Sequence, residues 1–392
     1  MNKKERFKLI LNAKLKLELI NDIRNSFAYF DKTANQYIFC NFNFSDVYEY
    51  FRKTFELLDI ETEKEISFKD SFFRFFGLLQ IIYVQQDLID AVSNIFGVNI
   101  ENGTKRKINR ELRNQLVGHP LSNERNSIKR NRKQTKSENN KNKIKSTIIL
   151  KDLTSKSFNY ISYEPENGEE QYIDRAANID SILIRHIEFL NESLDSILKK
   201  CFVELERQIS KHEKYVKIYF NKNVPEITKY VSWFDQYLNY TSFELETIYN
   251  CVRKKTEHKR YEVYLMGFKE MVIISYLEMI DRYKAFNRKL YHLNGNTNSF
   301  TYDKSVCSKL KKEKRKFENY FFQANNHNIS HDLRDISEPN NDLWDIGFKQ
   351  LNRVFRNDLN VIEELNRLKT LKSNAIEYEI CYRYVVYLVG YN

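Results

Sequence analysis

The sequence predicts a mainly α-helical protein with a small β-hairpin insertion. Three observations carry this. Glycine and proline are scarce, 9 and 4 in 392 residues, too few for a barrel or sandwich that turns every ~10 residues. Long stretches place apolar residues at helical spacing. Only the stretch 146–173 changes to strand composition, and it carries an Asn-Gly turn signal at Asn167-Gly168. With 42% apolar and 30% charged residues the chain is globular, and its length suits two domains better than one core.

Near the start, Leu9, Leu15, Leu19 and Ile23 repeat at near-helical spacing, and an aromatic stretch follows from Phe27 to Phe42. A helix is expected over Phe44–Leu58, then a polar break. Ser67 or Asp70 can cap the next helix, which runs to about Phe96 and stops at Gly97. Its apolar residues lie nearly all round (Phe75, Phe76, Leu78, Leu79, Ile82 and Val84 among them), so it should be covered on several sides. Another helix is expected over Arg106–Val117, stopped by Gly118 and Pro120.

Residues 122–145 are polar and basic and read as a loop. Thr147–Leu150, Phe158–Tyr163 and Gln171–Ile173 read as strands, and helix resumes at Asp174 or Asn178 and passes Leu205. From Tyr215 onward the pattern is mostly helical, with breaks at Pro225, 292–300 and 336–342. Three regions are therefore expected: an N-terminal helical segment 1–60, a bundle 61–210 carrying the basic loop 122–145 and the β insertion 146–173, and a helical C-terminal domain 211–392.

Charge placement narrows the function. From Glu101 to Lys145, 14 Lys/Arg face four acids, which accounts for ten of the eleven net positive charges. Such a field favours a polyanion. The five cysteines (Cys40, Cys201, Cys251, Cys307, Cys381) lie at least 50 residues apart, so neither a zinc site nor a disulfide framework is expected, and a reducing cytoplasm is. The N-terminus lacks the pattern of a secretory signal. The most apolar stretch, Phe72–Phe96, contains Arg74, Gln80, Gln85, Gln86, Asp87 and Asp90, too polar a load for a membrane span.

Arginine followed by histidine after four to six residues occurs three times: Arg113/His119, Arg207/His212 and Arg253/His258. The last two sit in charged helical stretches and are expected to face solvent. Arg113/His119 sits at a helix stop beside the basic segment, in Glu111-Leu112-Arg113-Asn114-Gln115-Leu116-Val117-Gly118-His119-Pro120. This segment resembles the signature of HEPN domains (higher eukaryotes and prokaryotes nucleotide-binding), an arginine, a polar residue, and then a histidine. The helix Phe76–Asp87, with Val84-Gln85-Gln86-Asp87, resembles the preceding helix of a bacterial HEPN-like group. The resemblance covers residues 67–120, and more loosely 172–205.

The resemblance implies a HEPN-like helical bundle and metal-independent RNA cleavage without cofactor, in a cleft between two HEPN domains, in a toxin or antiphage-defence setting. Its catalytic residues would be Arg113, Asn114 and His119, supported by Asp87, Gln86 and Glu111. The residue chemistry is compatible. Attack of a 2′-OH on the adjacent phosphate leaves 2′,3′-cyclic phosphate and 5′-OH ends. It needs proton transfers that an imidazole of pKa about 6.5 performs and a cation to hold the phosphate. Lys129, Arg130, Arg132 and Lys133 would bind RNA backbone. On a straight helix Arg113 and His119 lie about 120° apart, so a bend at Gly118 or a second chain must complete the site; a homodimer through helices 67–120 is expected, with an antitoxin or regulatory protein as a further partner. The motif can also be read as a plain helix C-cap or as part of a catalytically dead HEPN fold; for the whole protein the competing readings are a non-catalytic RNA- or nucleotide-binding module and a structural interaction protein. His327 and His331, at i,i+4, could hold a metal, but no third ligand is evident from sequence and no metal is expected.

Overall fold

The computed structural model describes residues 3–26, 44–58, 67–100, 103–114, 116, 146–154, 156–166, 169–220, 243–295, 300–321 and 327–391. The described residues are mainly helical with one small antiparallel sheet. The chain divides into two compact units, residues 1–26, 30–203 and 289–296 in one and 27–29, 204–288 and 297–392 in the other.

In the first unit, α1 (Lys3–Ser26) and α2 (Phe44–Thr54, extended by a 3₁₀ turn Phe55–Leu58) precede α3 (Phe68–Ile95) and α4 (Thr104–Arg113). Ser67 caps α3, its hydroxyl accepting from the Asp70 backbone N–H at 3.1 Å. Beyond Phe96, Gly97 takes φ +62°, the left-handed conformation that ends a helix at little cost only in glycine. Leu78, Leu79, Ile82, Ile89 and Val92 of α3 are buried, so this helix is central as its composition predicts, although Phe68 and Phe73 at its start are exposed.

The sheet follows: β1 (Ser146–Leu153), β2 (Ser157–Glu166) and β3 (Glu169–Asn178), antiparallel in the order β1-β2-β3. The expected hairpin insertion is thus three-stranded and runs five residues past 173. Of the two helix starts offered by the sequence, Asn178 holds and Asp174 does not, because the Ser157–Asn178 pairing keeps the chain extended to Asn178. The sheet meets α3 through Phe158 and Phe75, whose rings lie 3.9 Å apart. Asn178 then caps α5 (Ile179–Phe220), its Oδ1 accepting from the Ser181 N–H at 3.0 Å.

Two expected boundaries change. The segment 1–60 is not separate: Leu17, Ile20 and Ile23 of α1 are buried, and Arg6–Asp180 and Lys16–Asp195 pairs at 2.7 Å tie α1 to α5. The second boundary falls at 203/204, inside α5 rather than at 210/211. No glycine or proline occurs between Ile179 and Phe220, so nothing in the sequence breaks the helix there.

In the second unit lie the end of α5, then α6 (Leu245–Lys254), α7 (Lys259–Asn294, whose last residues belong to the first unit), α8 (Lys304–Phe321), α9 (His327–Asp335), α10 (Trp344–Val354), α11 (Leu359–Thr370) and α12 (Ala375–Tyr391). Gly295 ends α7 at φ +70°, and residues 336–342 separate α9 from α10, both at breaks read from sequence. Pro225 lies outside the described residues. Helices α9 to α12 enclose a core of Leu333, Ile336, Phe348, Leu351, Leu365 and Val385. Inside it Trp344 Nε1 donates to the Tyr378 hydroxyl, which donates to the Ile336 carbonyl, each at 2.6 Å. Cys201, Cys251, Cys307 and Cys381 are buried free thiols; Cys40 lies outside the described residues. Among the described residues no helix is long and apolar enough to cross a membrane.

Candidate functional site

Three arginines of α4, Arg106, Arg110 and Arg113, repeat at i, i+4 and i+7 and so share one face of the helix. That face meets a polar stripe of α3 formed by Gln80, Tyr83, Asp87 and Asp90. Arg106 forms a two-pronged pair with Asp90. Arg110 lies over the Tyr83 ring, 4.9 Å from its centroid, and reaches Asp87 Oδ1 at 3.5 Å. Arg113 differs. Its guanidinium carbon sits 4.2 Å from the Tyr83 centroid, Nη2 donates to Gln80 Oε1 at 3.0 Å, and Nη1 donates to Asn114 Oδ1 at 3.2 Å. Among the described residues no carboxylate pairs with it. Arg113 is thus a half-buried cation held by a ring face and two amide oxygens, with its positive charge uncancelled by a direct partner.

The backbone changes at this point. The α-helix is regular to Arg113, and Asn114 and Leu116 take a wider π-helical turn; Val117, where the helix was expected to end, lies outside the described residues. Such turns rotate the following side chains relative to a straight helix. His119 itself, with Gln115, Gly118 and Pro120, lies outside the described residues, as do Lys129, Arg130, Arg132 and Lys133.

The expected supporting residues separate. Asp87 is at the arginine face; burial raises its carboxyl above the usual value, against the pull of Arg110. Gln86 is fully buried and donates to the Arg106 carbonyl at 3.4 Å, so it braces the start of α4. Glu111 lies two residues from Arg113, about 200° round the helix, on a different face.

Sequence reasoning passed over Gln80, Tyr83 and Arg110. Their signal was present as matching i, i+3/i+4 and i+7 spacings on two consecutive helices. It also passed over His186 of α5, which is wholly buried. Its Nε2 lies 2.6 Å from Gln85 Oε1, and Gln85 Nε2 donates to Thr54 Oγ1 at 2.9 Å, so this histidine cross-links three helices. Burial depresses its pKa to about 3, which keeps it neutral and unsuited to proton transfer near pH 7.

The other Arg/His pairs do different things. Arg207 is half-exposed and pairs with Glu204, but His212, expected at the surface, is fully buried between the Met279 sulfur and the Val272 carbonyl, each 3.1 Å away. His258 is partly exposed and lies 3.8 Å from Glu364. On α9, His331 gathers with Asp332 and Asp335, the donor atoms all within 4.8 Å of one another, so the chain does supply the further donors that the histidine spacing alone did not reveal. His331 Nδ1 sits 3.2 Å from Asp335 Oδ2, a hydrogen bond that the imidazole makes without any metal. The His327 side chain lies outside what the structure describes.

Compared with family models, curated proteins and solved structures, the chain gives no match in any of the three.

Proposed function

We propose that this chain is an RNA endonuclease of HEPN type, acting without a metal ion by 2′-OH attack and leaving 2′,3′-cyclic phosphate and 5′-OH ends. The observation that carries the reading is Arg113, a guanidinium aimed by Tyr83, Gln80 and Asn114 and joined to no carboxylate among the described residues. A fixed planar fork with uncancelled charge suits a phosphate whose negative charge grows in the transition state. Arg113 holds the phosphate oxygens. Asn114, whose Oδ1 accepts from Arg113, keeps its amide N–H groups to orient the imidazole or the phosphate. His119 moves the protons. Asp87 fixes Arg110, and through the shared Tyr83 ring the pair sets the position of Arg113. The basic segment, with Lys129, Arg130, Arg132 and Lys133, attracts RNA backbone in a salt-sensitive way. The site is completed by a second copy of the chain, and the setting is a toxin or antiphage-defence system in the cytoplasm, restrained by an antitoxin or regulatory protein.

The test incubates purified protein with RNA and with the matching DNA in the presence of EDTA. Cleavage of RNA alone, lost in His119→Ala and Arg113→Ala, supports the proposal. Cleavage that stops on chelation overturns the mechanism. RNA that is bound and never cut points instead to a non-catalytic binding module.

A further inference from the structure

A pocket of about 460 Å³ opens away from the arginine face, between Ile108, Glu111 and Leu112 of α4, the paired strands β2 and β3, and the first turns of α5. Arg185 of α5 lines it, held in an unusual way. Its Nε and Nη2 both donate to Asn109 Oδ1, at 3.3 and 3.2 Å, and Asn109 Nδ2 donates to the Ile182 carbonyl at 3.0 Å, which fixes the amide so that its oxygen faces the guanidinium. No carboxylate pairs with Arg185 among the described residues. Burial accordingly lowers its pKa with no acid to offset the loss of water. Glu111 lines the same pocket, is exposed, and pairs with no cation among the described residues. An anchored cation and a carboxylate thus share one pocket without closing on each other. Arg175, opposite Tyr160 in the β2–β3 register, and Ser181 of α5 also line it.

This arrangement suits a ligand with two chemically different ends. A compact anion is repelled by Glu111, and a neutral polyol leaves Arg185 unsatisfied. A ligand with a phosphate at one end and hydroxyl donors at the other meets both, and the volume is that of a small-molecule site. We propose that this pocket binds a phosphorylated sugar, free or within a nucleotide, with Arg185 and Arg175 on the phosphate, Ser181 adding its hydroxyl, and Glu111 accepting from the sugar hydroxyls. The proposal does not depend on the nuclease reading, because Arg113 plays no part in it.

Calorimetric titration of the full chain with ribose 5-phosphate, adenosine 5′-monophosphate, inorganic phosphate and ribose tests it. Expected is saturable binding of at least one of the two phosphorylated sugars, with ribose and inorganic phosphate at least about tenfold weaker. The tighter of the two tells a free sugar phosphate from a nucleotide. Arg185→Gln should weaken binding by about tenfold or more, while Arg113→Ala leaves it unchanged. Because Arg185 also holds Asn109, Arg175→Gln is measured alongside, and circular dichroism checks that each variant is folded. Absence of binding by both phosphorylated sugars at about 10 mM overturns the proposal. So does equal affinity for inorganic phosphate, and so do unchanged affinities in both folded variants.

Discussion

Buried cations close on acids in both units, as Arg6 does on Asp180 and Lys16 on Asp195 in the first, but among the described residues the first unit also holds two arginines, Arg113 and Arg185, steadied by neutral groups instead. In the second unit the less exposed cations close on acids: Arg260 meets Glu364 at 2.7 Å with both side chains almost fully buried, Lys254 meets Glu377 at 2.7 Å, and Arg383 meets Glu379 at 3.1 Å. Along α4 the pattern changes within three turns. Arg106 has Asp90 and Arg110 has Asp87, but Arg113 has only a ring and two amide oxygens. Arg185 repeats the theme on α5, with Asn109 as its support. A cation that spends its charge on an internal acid serves the fold. One steadied by neutral acceptors keeps its net charge.

Substitutions can break this contrast. The largest effect is expected from Arg260→Ala, which strands the Glu364 carboxylate in the interior and should lower unfolding free energy by about 3–5 kcal/mol in urea titration. A loss under about 1 kcal/mol would make the buried pair dispensable and dissolve the distinction. Next comes Arg113→Ala. RNA cleavage should fall about 10²–10³-fold while stability shifts by under about 0.5 kcal/mol; an equal loss of both would assign Arg113 to the fold. The pH dependence sharpens the picture with one group in each unit. His186 and His212 are held neutral by burial, each with pKa about 3. The unfolded chain, with imidazoles near pKa 6.5, therefore binds more protons below that value, and stability present above about pH 6.5 is lost as pH falls toward 3. The slope is at most about 1.4 kcal/mol per pH unit for each group. Urea titrations between about pH 6 and 4 read this slope, and a flat profile would mean the imidazoles are already charged in the fold. The smallest effect is Ser67→Ala, about 1 kcal/mol from the lost α3 cap, measured by thermal unfolding.

Much of the fold was legible where local chemistry decides it. Ser67 and Gly97 bracket α3 because a hydroxyl cap and a left-handed glycine act within a few residues of the chain. The helix start at Asn178 was legible as one of two alternatives, but β3 was ended at Ile173, five residues early, because only the pairing across strands shows that the chain stays extended past Asp174. Of the candidate site, Arg113 and Asn114 were singled out by their motif and Asp87 by its position on a central helix, and the structure brings Arg113 beside Asn114 and Asp87 to the same arginine face. Tyr83 and Gln80 were missed because their meaning arises only when α3 and α4 pack side by side. Burial of His212 was hidden in the same way: the charged residues flanking it suggest solvent, while the Met279 sulfur and Val272 carbonyl that enclose it lie more than 50 residues away.

The four buried cysteines turn the protein into its own clock. Desolvation raises every one of these thiols above its ordinary range, that of Cys251 to about 12, and it is the thiolate that alkylating reagents attack. In a Cys40→Ser background, incorporation of such a reagent would therefore time how often each helix breathes open. Cys201 would keep that time for the first unit and Cys251, Cys307 and Cys381 for the second.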